Sequence, residues 1–233
     1  MKLAFSWDDG ALQDQKLFEL HTKYEIPGMF FVPTKNREGR KVLTPEMIKD
    51  AESEYIKFGG HTQNHIYLTE LNLNDVETEV VENKKYIEDV LGHQVDDFCL
   101  PGGRYSKAVL NIIYKHFKTI RTADTMNFNY SGGPLKPSIH YYPRGIKSLI
   151  GNALRNKSFR ELIFLAKHFN DDYFDVVKKI VEFERTRNNS IVMIWGHSWE
   201  IEKMGLWEKL ENFMKFAKQV GCSNYLDMFC SNL

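Results

Sequence analysis

The sequence predicts an α/β fold on a parallel sheet, and three observations carry that prediction. Short apolar runs bounded by breakers alternate with segments of helical periodicity. The apolar runs are followed by polar or glycine-rich clusters, namely Asp8-Asp9, His61, Pro101-Gly102-Gly103 and His197. At 233 residues, with 42% hydrophobic and 27% charged content, the chain can bury one sizeable core, so a single domain over 1–233 is expected. Alternation alone suits an open doubly wound sheet as well as a barrel. In a barrel the strand C-termini converge on one mouth, where such clusters would meet.

Lys2 to Trp7 is an apolar run ending on two acids, hence a strand, and Leu12, Leu17, Phe18 and Leu20 follow at helical spacing. After Pro27, the segment from Gly28 to Val32 is continuously apolar and ends at Pro33, as suits a strand buried on both faces. Thr44-Pro45-Glu46 starts a helix, with Thr44 as N-cap and Pro45 in the first turn, and that helix ends before Gly59-Gly60. Val76, Val80, Val81, Ile87 and Val90 mark an amphipathic helix from Asn74 to Val90, stopped by Gly92. Phe98 to Leu100 reads as a strand end, Ala108 to Phe117 as a helix and Thr119 to Thr122 as a short strand. Residues 124–158, rich in Asn, Gly, Pro and Tyr, read as an irregular insertion that carries local function or specificity. Helices are expected again over Phe159 to Phe169 and Tyr173 to Phe183, then a strand over Ile191 to Trp195 and a last helix over Leu206 to Val220.

Thirty-one basic residues balance thirty-one acidic ones, which argues against nucleic acid or an anionic membrane as partner and favours a neutral or mixed-charge substrate. The apolar runs fall far short of the roughly 18 residues that span a bilayer. The start MKLAFSWDDG puts carboxylates where a secretory signal needs an apolar stretch, so a cytoplasmic location is expected. Cys99, Cys222 and Cys230 are odd in number and lack Cys-x-x-Cys spacing, which speaks against a disulfide framework or structural zinc knot.

His61-Thr62-Gln63-Asn64-His65 separates two imidazoles by four residues, one helical turn, so that both can face one metal ion. The metalloprotease helix has the same spacing but needs Glu directly after the first His, where this chain has Thr62. A base must therefore come from elsewhere. Asp8 and Asp9 stand at a strand end before Gly10, and a tight turn there can aim both carboxylates at one centre. The alternative for this pair is a helix N-cap beside an exposed acid. His197 follows an apolar run, and its neighbours Trp195, Trp199 and Glu200 suit a sugar or acyl pocket and an acid–base pair.

Together these segments resemble, in order and approximate spacing, the polysaccharide deacetylase family, also called the NodB homology domain or carbohydrate esterase family 4. Ser6-Trp7-Asp8-Asp9-Gly10 resembles its Thr-Phe-Asp-Asp-Gly motif, and Gly59-Gly60-His61-Thr62-Gln63-Asn64-His65 its Gly-Asn-His-Ser/Thr-x-x-His motif. The resemblance implies a distorted (β/α) barrel with Asp9, His61 and His65 holding a divalent ion, zinc being favoured, and Asp8 as general base. Phe98 to Gly103 resembles the third motif, Phe-Arg-Pro-Pro-Tyr-Gly, which implies a backbone N–H donor to the oxyanion at Gly102. The arginine that normally braces the base is missing from it, so either Arg104, Arg121 or Arg144 reaches in from elsewhere or Asp8 is held differently. Ile194 to His197 resembles the closing motif, which implies that His197 protonates the departing amine and that Trp195, replacing a Leu, narrows the acyl pocket. The carboxylate partner of His197 is open between Asp124 and Glu200.

The implied reaction is removal of an acetyl group, N-linked in preference to O-linked, from a carbohydrate. Hydrolysis of a small cyclic amide or imide fits the same residues, and a degenerate sugar-binding member would explain the missing arginine. Iron oxygenases also use two histidines and a carboxylate, but their His-x-Asp pair is absent.

Overall fold

The computed structural model describes residues 1–229; Cys230 lies outside them. The chain runs β1 (Lys2–Trp7), α1 (Asp14–Tyr24), β2 (Gly28–Val32), α2 (Pro45–Ala51), β3 (Ile56–Gly60), α3 (Leu73–Leu91), β4 (Asp97–Cys99), α4 (Lys107–Ile113) and β5 (Thr119–Arg121). It continues through β6 (Ile139–His140), α5 (Ile146–Arg155), α6 (Phe159–Lys167), α7 (Tyr173–Arg185), β7 (Ile191–Gly196), α8 (Ser198–Lys203) and α9 (Trp207–Val220), and ends in a 3-10 segment, Tyr225–Phe229. The seven strands form one parallel sheet in the order β5-β4-β3-β2-β1-β7-β6.

The sheet curls into a half-barrel whose edges, β5 and β6, are joined by one stretch of chain. Leu135 exchanges backbone hydrogen bonds with β5, its N–H to Ile120 O at 2.7 Å and its C=O from Thr122 N–H at 2.9 Å. Three residues later Ser138 N–H donates to Met193 O of β7 at 3.0 Å. The expected distorted (β/α) barrel is thus the observed architecture.

Period-two alternation decides which strand residues see the interior. Leu3, Phe5 and Trp7, Phe30 and Val32, Phe98, and Val192 and Ile194 point outward into the main core beneath the helices. Ala4, Met29, Phe31, Cys99, Ile191 and Met193 point inward, where Tyr225 and Met228 of the C-terminal segment plug the barrel. That inward phase, continued one residue past β1 and β3, brings Asp8 and His61 to the same face as Cys99, Arg121, His140 and Trp195.

The local signals act as their chemistry predicts. Thr44 caps α2 by accepting from Met47 N–H at 3.3 Å, and Gly92 closes α3 in the left-handed region at φ 77°. Differences from the sequence reading are confined to short or interrupted elements. The helix expected to reach Phe117 stops at Ile113 in successive turns. The stretch 124–158 is not wholly irregular: it holds the two-residue strand β6, too short for a periodicity signal, and α5, whose apolar positions Ile146, Leu149 and Ala153 are buried. Among the described residues no helix is long and apolar enough to cross a membrane, and Cys99 and Cys222 are free thiols.

Candidate active site

The turn after β1 presents both acids inward. Asp9 takes a left-handed backbone at φ 77°, which costs a non-glycine residue on the order of 1–3 kcal/mol, and Gly10 follows at φ 55°. A side chain on Gly10 would come within 2.6 Å of Val32, so a glycine is required there. Both carboxylates are 97% buried, and α1 begins only at Asp14 behind Gln13, which overturns the N-cap alternative.

Asp9 Oδ1 lies 2.9 Å from His65 Nε2 and 3.5 Å from His61 Nε2. The expected helical turn is not what brings the histidines together. Residues 61–65 form a loop with Thr62 at φ 69° and His65 at φ 54°, so the spacing argument fails although the two imidazoles converge. The loop is pinned by α3: Asn83 Oδ1 accepts from His61 N–H at 2.7 Å, and Glu79 accepts from Asn64 N–H at 2.9 Å and from its side-chain amide at 2.6 Å. Glu79 and Asn83 went unrecognised in the sequence. The available signal was that they fall four residues apart on the apolar face, beside Val76, Val80 and Ile87.

Proton bookkeeping shows that this cluster suits a cation. His61 Nδ1 lies 2.8 Å from the Cys99 carbonyl, which can only accept, so the Nδ1 proton is committed there and a neutral ring turns its Nε2 lone pair toward Asp9. The ligand atoms of Asp9, His61 and His65 all lie within 4.8 Å of one another, a convergence of acceptors that a divalent ion satisfies. Asp9 Oδ2 is held from outside by Trp199 Nε1–H at 2.9 Å and by Arg40 at 3.4 Å, the Arg40 guanidinium also lying over the Trp199 ring.

Asp8 stands beside this cluster. Of the three arginines considered, Arg121 reaches it: the guanidinium is fully buried and donates to Asp8 Oδ1 through Nη2 and to Thr122 O through Nη1 at 2.8 Å. Arg104 is exposed beside Glu70, and Arg144 lies beside Tyr142. Cys99 occupies the position of the family motif's arginine, and Arg121 is its register partner on the neighbouring strand β5. The guanidinium has thus moved one strand over while its target has stayed, and the Cys99 thiol sits 3.6 Å from Asp8 Oδ2. Burial alone would raise the Asp8 carboxyl, but the Arg121 guanidinium beside it, with His197, outweighs burial and holds the pKa below the usual range.

His197 approaches from the other side, its Nε2 3.9 Å from Asp9 Oδ1. Its Nδ1 lies 2.7 Å from Glu200 Oε2, and the same oxygen lies 2.9 Å from His140 Nε2. Here each ring nitrogen can donate to the carboxylate, so protons satisfy this trio without a metal. Burial works against a charged His197, but Asp9, Glu200 and Asp8 push its pKa up to about 9. Burial holds His140 down at about 4, hence neutral, despite its hydrogen bond to Glu200. Asp124 is engaged elsewhere, with Lys136 at 3.1 Å. His140 escaped the sequence reading because a lone histidine in a two-residue strand gives no pattern.

Trp195 is 6% exposed and stacks on His140 with ring centroids 4.1 Å apart, the two being register partners across β6 and β7. Arg121 lies 5.2 Å from the same ring, and the His197 ring meets it edge-on with centroids 5.4 Å apart. Gly102 turns left-handed at φ 61°, and a side chain there would strike Tyr67 at 2.5 Å. Gly102, Trp195 and His140 border a cavity of about 410 Å³.

The curled parallel sheet with its covering helices is the fold of solved deacetylase barrels. The sequence profile of the polysaccharide deacetylase family matches residues 2–118, half the chain, and the protein belongs to that family. A peptidoglycan-N-acetylglucosamine deacetylase of Bacillus cereus is 23% identical over 176 residues, covering 72% of this chain and 74% of the relative. A putative polysaccharide deacetylase of Bacillus subtilis is 25% identical over 111 residues, 47% of this chain and 40% of its own length. Among solved structures, a peptidoglycan N-acetylglucosamine deacetylase bound to a naphthalenyl N-oxidanyl-benzamide superposes with a TM-score of 0.62 at 15% identity, covering 99% of this chain and 89% of that one. A pseudoenzyme of carbohydrate esterase family 4 from Bacillus anthracis gives 0.59 at 13% identity, covering 98% and 65%. At such identities these likenesses concern the fold, which active and inactive members share.

Proposed function

We propose that this protein removes an acetyl group, N-linked, from a carbohydrate, using a divalent ion, zinc by preference, held by Asp9, His61 and His65. The observation that carries the reading is the opposition of two differently tuned groups across one cluster: Asp8 kept ionised by Arg121, and His197 kept protonated beside Glu200. Such a split is what acid–base chemistry on one scissile bond needs. The bound ion would polarise the acyl carbonyl and acidify a water.

Asp8, an acceptor at neutral pH, takes the proton of the attacking water. Arg121 and Cys99 hold its carboxylate in place, so it does not rotate away. The backbone N–H of Gly102 donates to the oxyanion as the carbonyl carbon becomes tetrahedral. His197 then delivers its proton to the amine nitrogen as the C–N bond breaks, and Glu200 steadies the ring through Nδ1, leaving Nε2 for the transfer. Trp195 closes the acyl end to groups larger than acetyl, and Trp199 fixes Asp9 through its indole N–H.

Acetate release from N-acetylated oligosaccharides, measured with zinc added and after chelation, tests the proposal. Asp8→Asn is expected to lower kcat by about 10³-fold, within the range of a lost general base, while bound metal per chain is unchanged. Equal turnover by the variant would exclude Asp8 as base, and absence of release from every acetylated sugar would exclude the reaction.

A further inference from the structure

The cavity of about 410 Å³ beside Trp195 and His140 is also lined by Arg144, just ahead of α5, and by Arg155 in the last turn of α5. Its size is in the range of small-ligand sites. Six of the nine arginines have a carboxylate oxygen within 4.0 Å: Arg37, Arg40, Arg104, Arg121, Arg160 and Arg187. Among the described residues, Arg144, Arg155 and the exposed Arg185 have none, and of these the first two line the cavity.

The single carboxylate in the lining, Asp124, does not offset them. Lys136 lies 3.1 Å from one of its oxygens, and the Asn156 amide donates to the other at 3.1 Å. The wall between is polar and braced, with the Asn152 amide donating to Thr125 Oγ1 at 2.8 Å. An overall charge of zero therefore conceals a locally cationic cavity. Its lining residue His140 is two hydrogen bonds from the proton donor, because His140 and His197 share Glu200.

We infer that the substrate is an acetylated sugar bearing an anionic group, a carboxylate or a phosphate, and that Arg144 and Arg155 recognise that group in this cavity. This rests on the deacetylase reading for the position of the acetamide, but its recognition step is separate from the chemistry. Guanidinium groups pair with either anion through two parallel N–H donors, and a partly enclosed site strengthens the attraction. Arg144 precedes α5 and Arg155 ends it, a helix of roughly 15 Å at about 1.5 Å per residue, and both long side chains border the same cavity, where they can meet on one substituent.

The test is calorimetric binding and steady-state kinetics on the full chain with N-acetylglucosamine, N-acetylglucosamine 1-phosphate and N-acetylmuramic acid. The anionic sugars are expected to bind at least about tenfold more tightly than the neutral one, a difference that one charge-assisted hydrogen bond accounts for, and the advantage should shrink as salt is raised. In Arg144→Gln/Arg155→Gln the advantage should vanish, with KM raised and kcat retained. Preference for the phosphate identifies a sugar phosphate as the source, and preference for the carboxylate an acidic sugar. Equal binding of neutral and anionic sugars, or an anionic preference that survives in the double variant, overturns the inference. Deacetylation without charge preference would leave the proposed reaction standing alone. Arginine-dependent binding of anionic sugars without acetate release would leave only the recognition site.

Discussion

The two halves of the site are built in different ways. On the β1–β3 side, Asp8, Asp9, His61 and His65 come from two short motifs, each placed by a turn immediately after a strand. On the β5–β7 side, Arg121, His140, His197 and Glu200 come from separated positions and act through one another. The first half depends on backbone geometry, namely left-handed residues and a loop stapled by Glu79 and Asn83. The second depends on charge pairs in a desolvated space. Damage to the first should disturb position, whereas damage to the second should disturb protonation.

Arg121→Gln strikes where the halves meet and has the largest expected effect. Removing one partner of a buried pair costs about 3–5 kcal/mol, readable by urea denaturation at pH 7. The Asp8 pKa is lowered in the folded state, so its contribution to stability is present above the unfolded value of about 3.9 and is lost as pH falls through the folded value. The gap between variant and wild type should therefore narrow in acid. Adding Cys99→Arg, with Arg121→Cys in place of the glutamine, returns a guanidinium to the same face by way of the register pair. Recovery of activity in that exchange would show that position on the face, not the strand of origin, matters; no recovery would mean that the β5 origin is required.

Glu200→Gln sharpens the other side. His197 has its pKa raised, despite burial, to about 9 by Asp9 and Glu200 in the ion-free protein, and a cation on Asp9 works against that rise, so kcat of the metal-loaded enzyme should fall on an alkaline limb below about 9. Stability from this group is likewise present below the unfolded value of about 6.5 and is lost on passing about 9. Without the Glu200 charge, the alkaline limb should move down by about one pH unit or more, at a cost near 1.4 kcal/mol per unit. An unmoved limb would rule out Glu200 as the group holding the proton. His140→Gln keeps a donor toward Glu200 and should shift the limb by less than about half a unit, a step below the roughly 1.4 kcal/mol of one full unit. A shift as large as that of Glu200→Gln would mean that the two histidines act as one unit.

Asn72→Ala provides the smallest effect and a scale for the rest. Asn72 caps α3 by accepting from Asn74 and Asp75 N–H at 3.1 and 3.0 Å, and its loss should cost about 1 kcal/mol. Since α3 also carries Glu79 and Asn83, a fall in metal affinity without a moved pH limb would show that the histidine loop depends on that helix. Unchanged metal affinity would show that its central turns suffice.

The motifs at Asp8-Asp9 and His61 to His65 were legible because their residues are neighbours in the chain, although only the first follows an evident apolar run: β3, with Lys57 and two glycines, gives a weak strand signal. The reason given for the histidine pair was nevertheless wrong, since a loop and not a helical turn joins them. The choice among Arg104, Arg121 and Arg144, and between Asp124 and Glu200, was not legible. Each is decided by strand register or by the position of a helix start, and neither quantity is encoded in spacing along the chain. His140 lies beyond sequence reasoning for the same reason, its partners Trp195 and Glu200 being more than fifty residues away.

By itself the sequence determined the alternation of strands and helices and the acids and histidines at the strand ends, because these depend on local periodicity and turn chemistry. Only the tertiary structure decided that Arg121 replaces the guanidinium missing at Cys99, that Glu200 serves two histidines, and that two arginines stand without carboxylates around the adjoining cavity. Those outcomes depend on which distant residues share a desolvated space, where a charge must find a partner or remain available for one brought by a ligand.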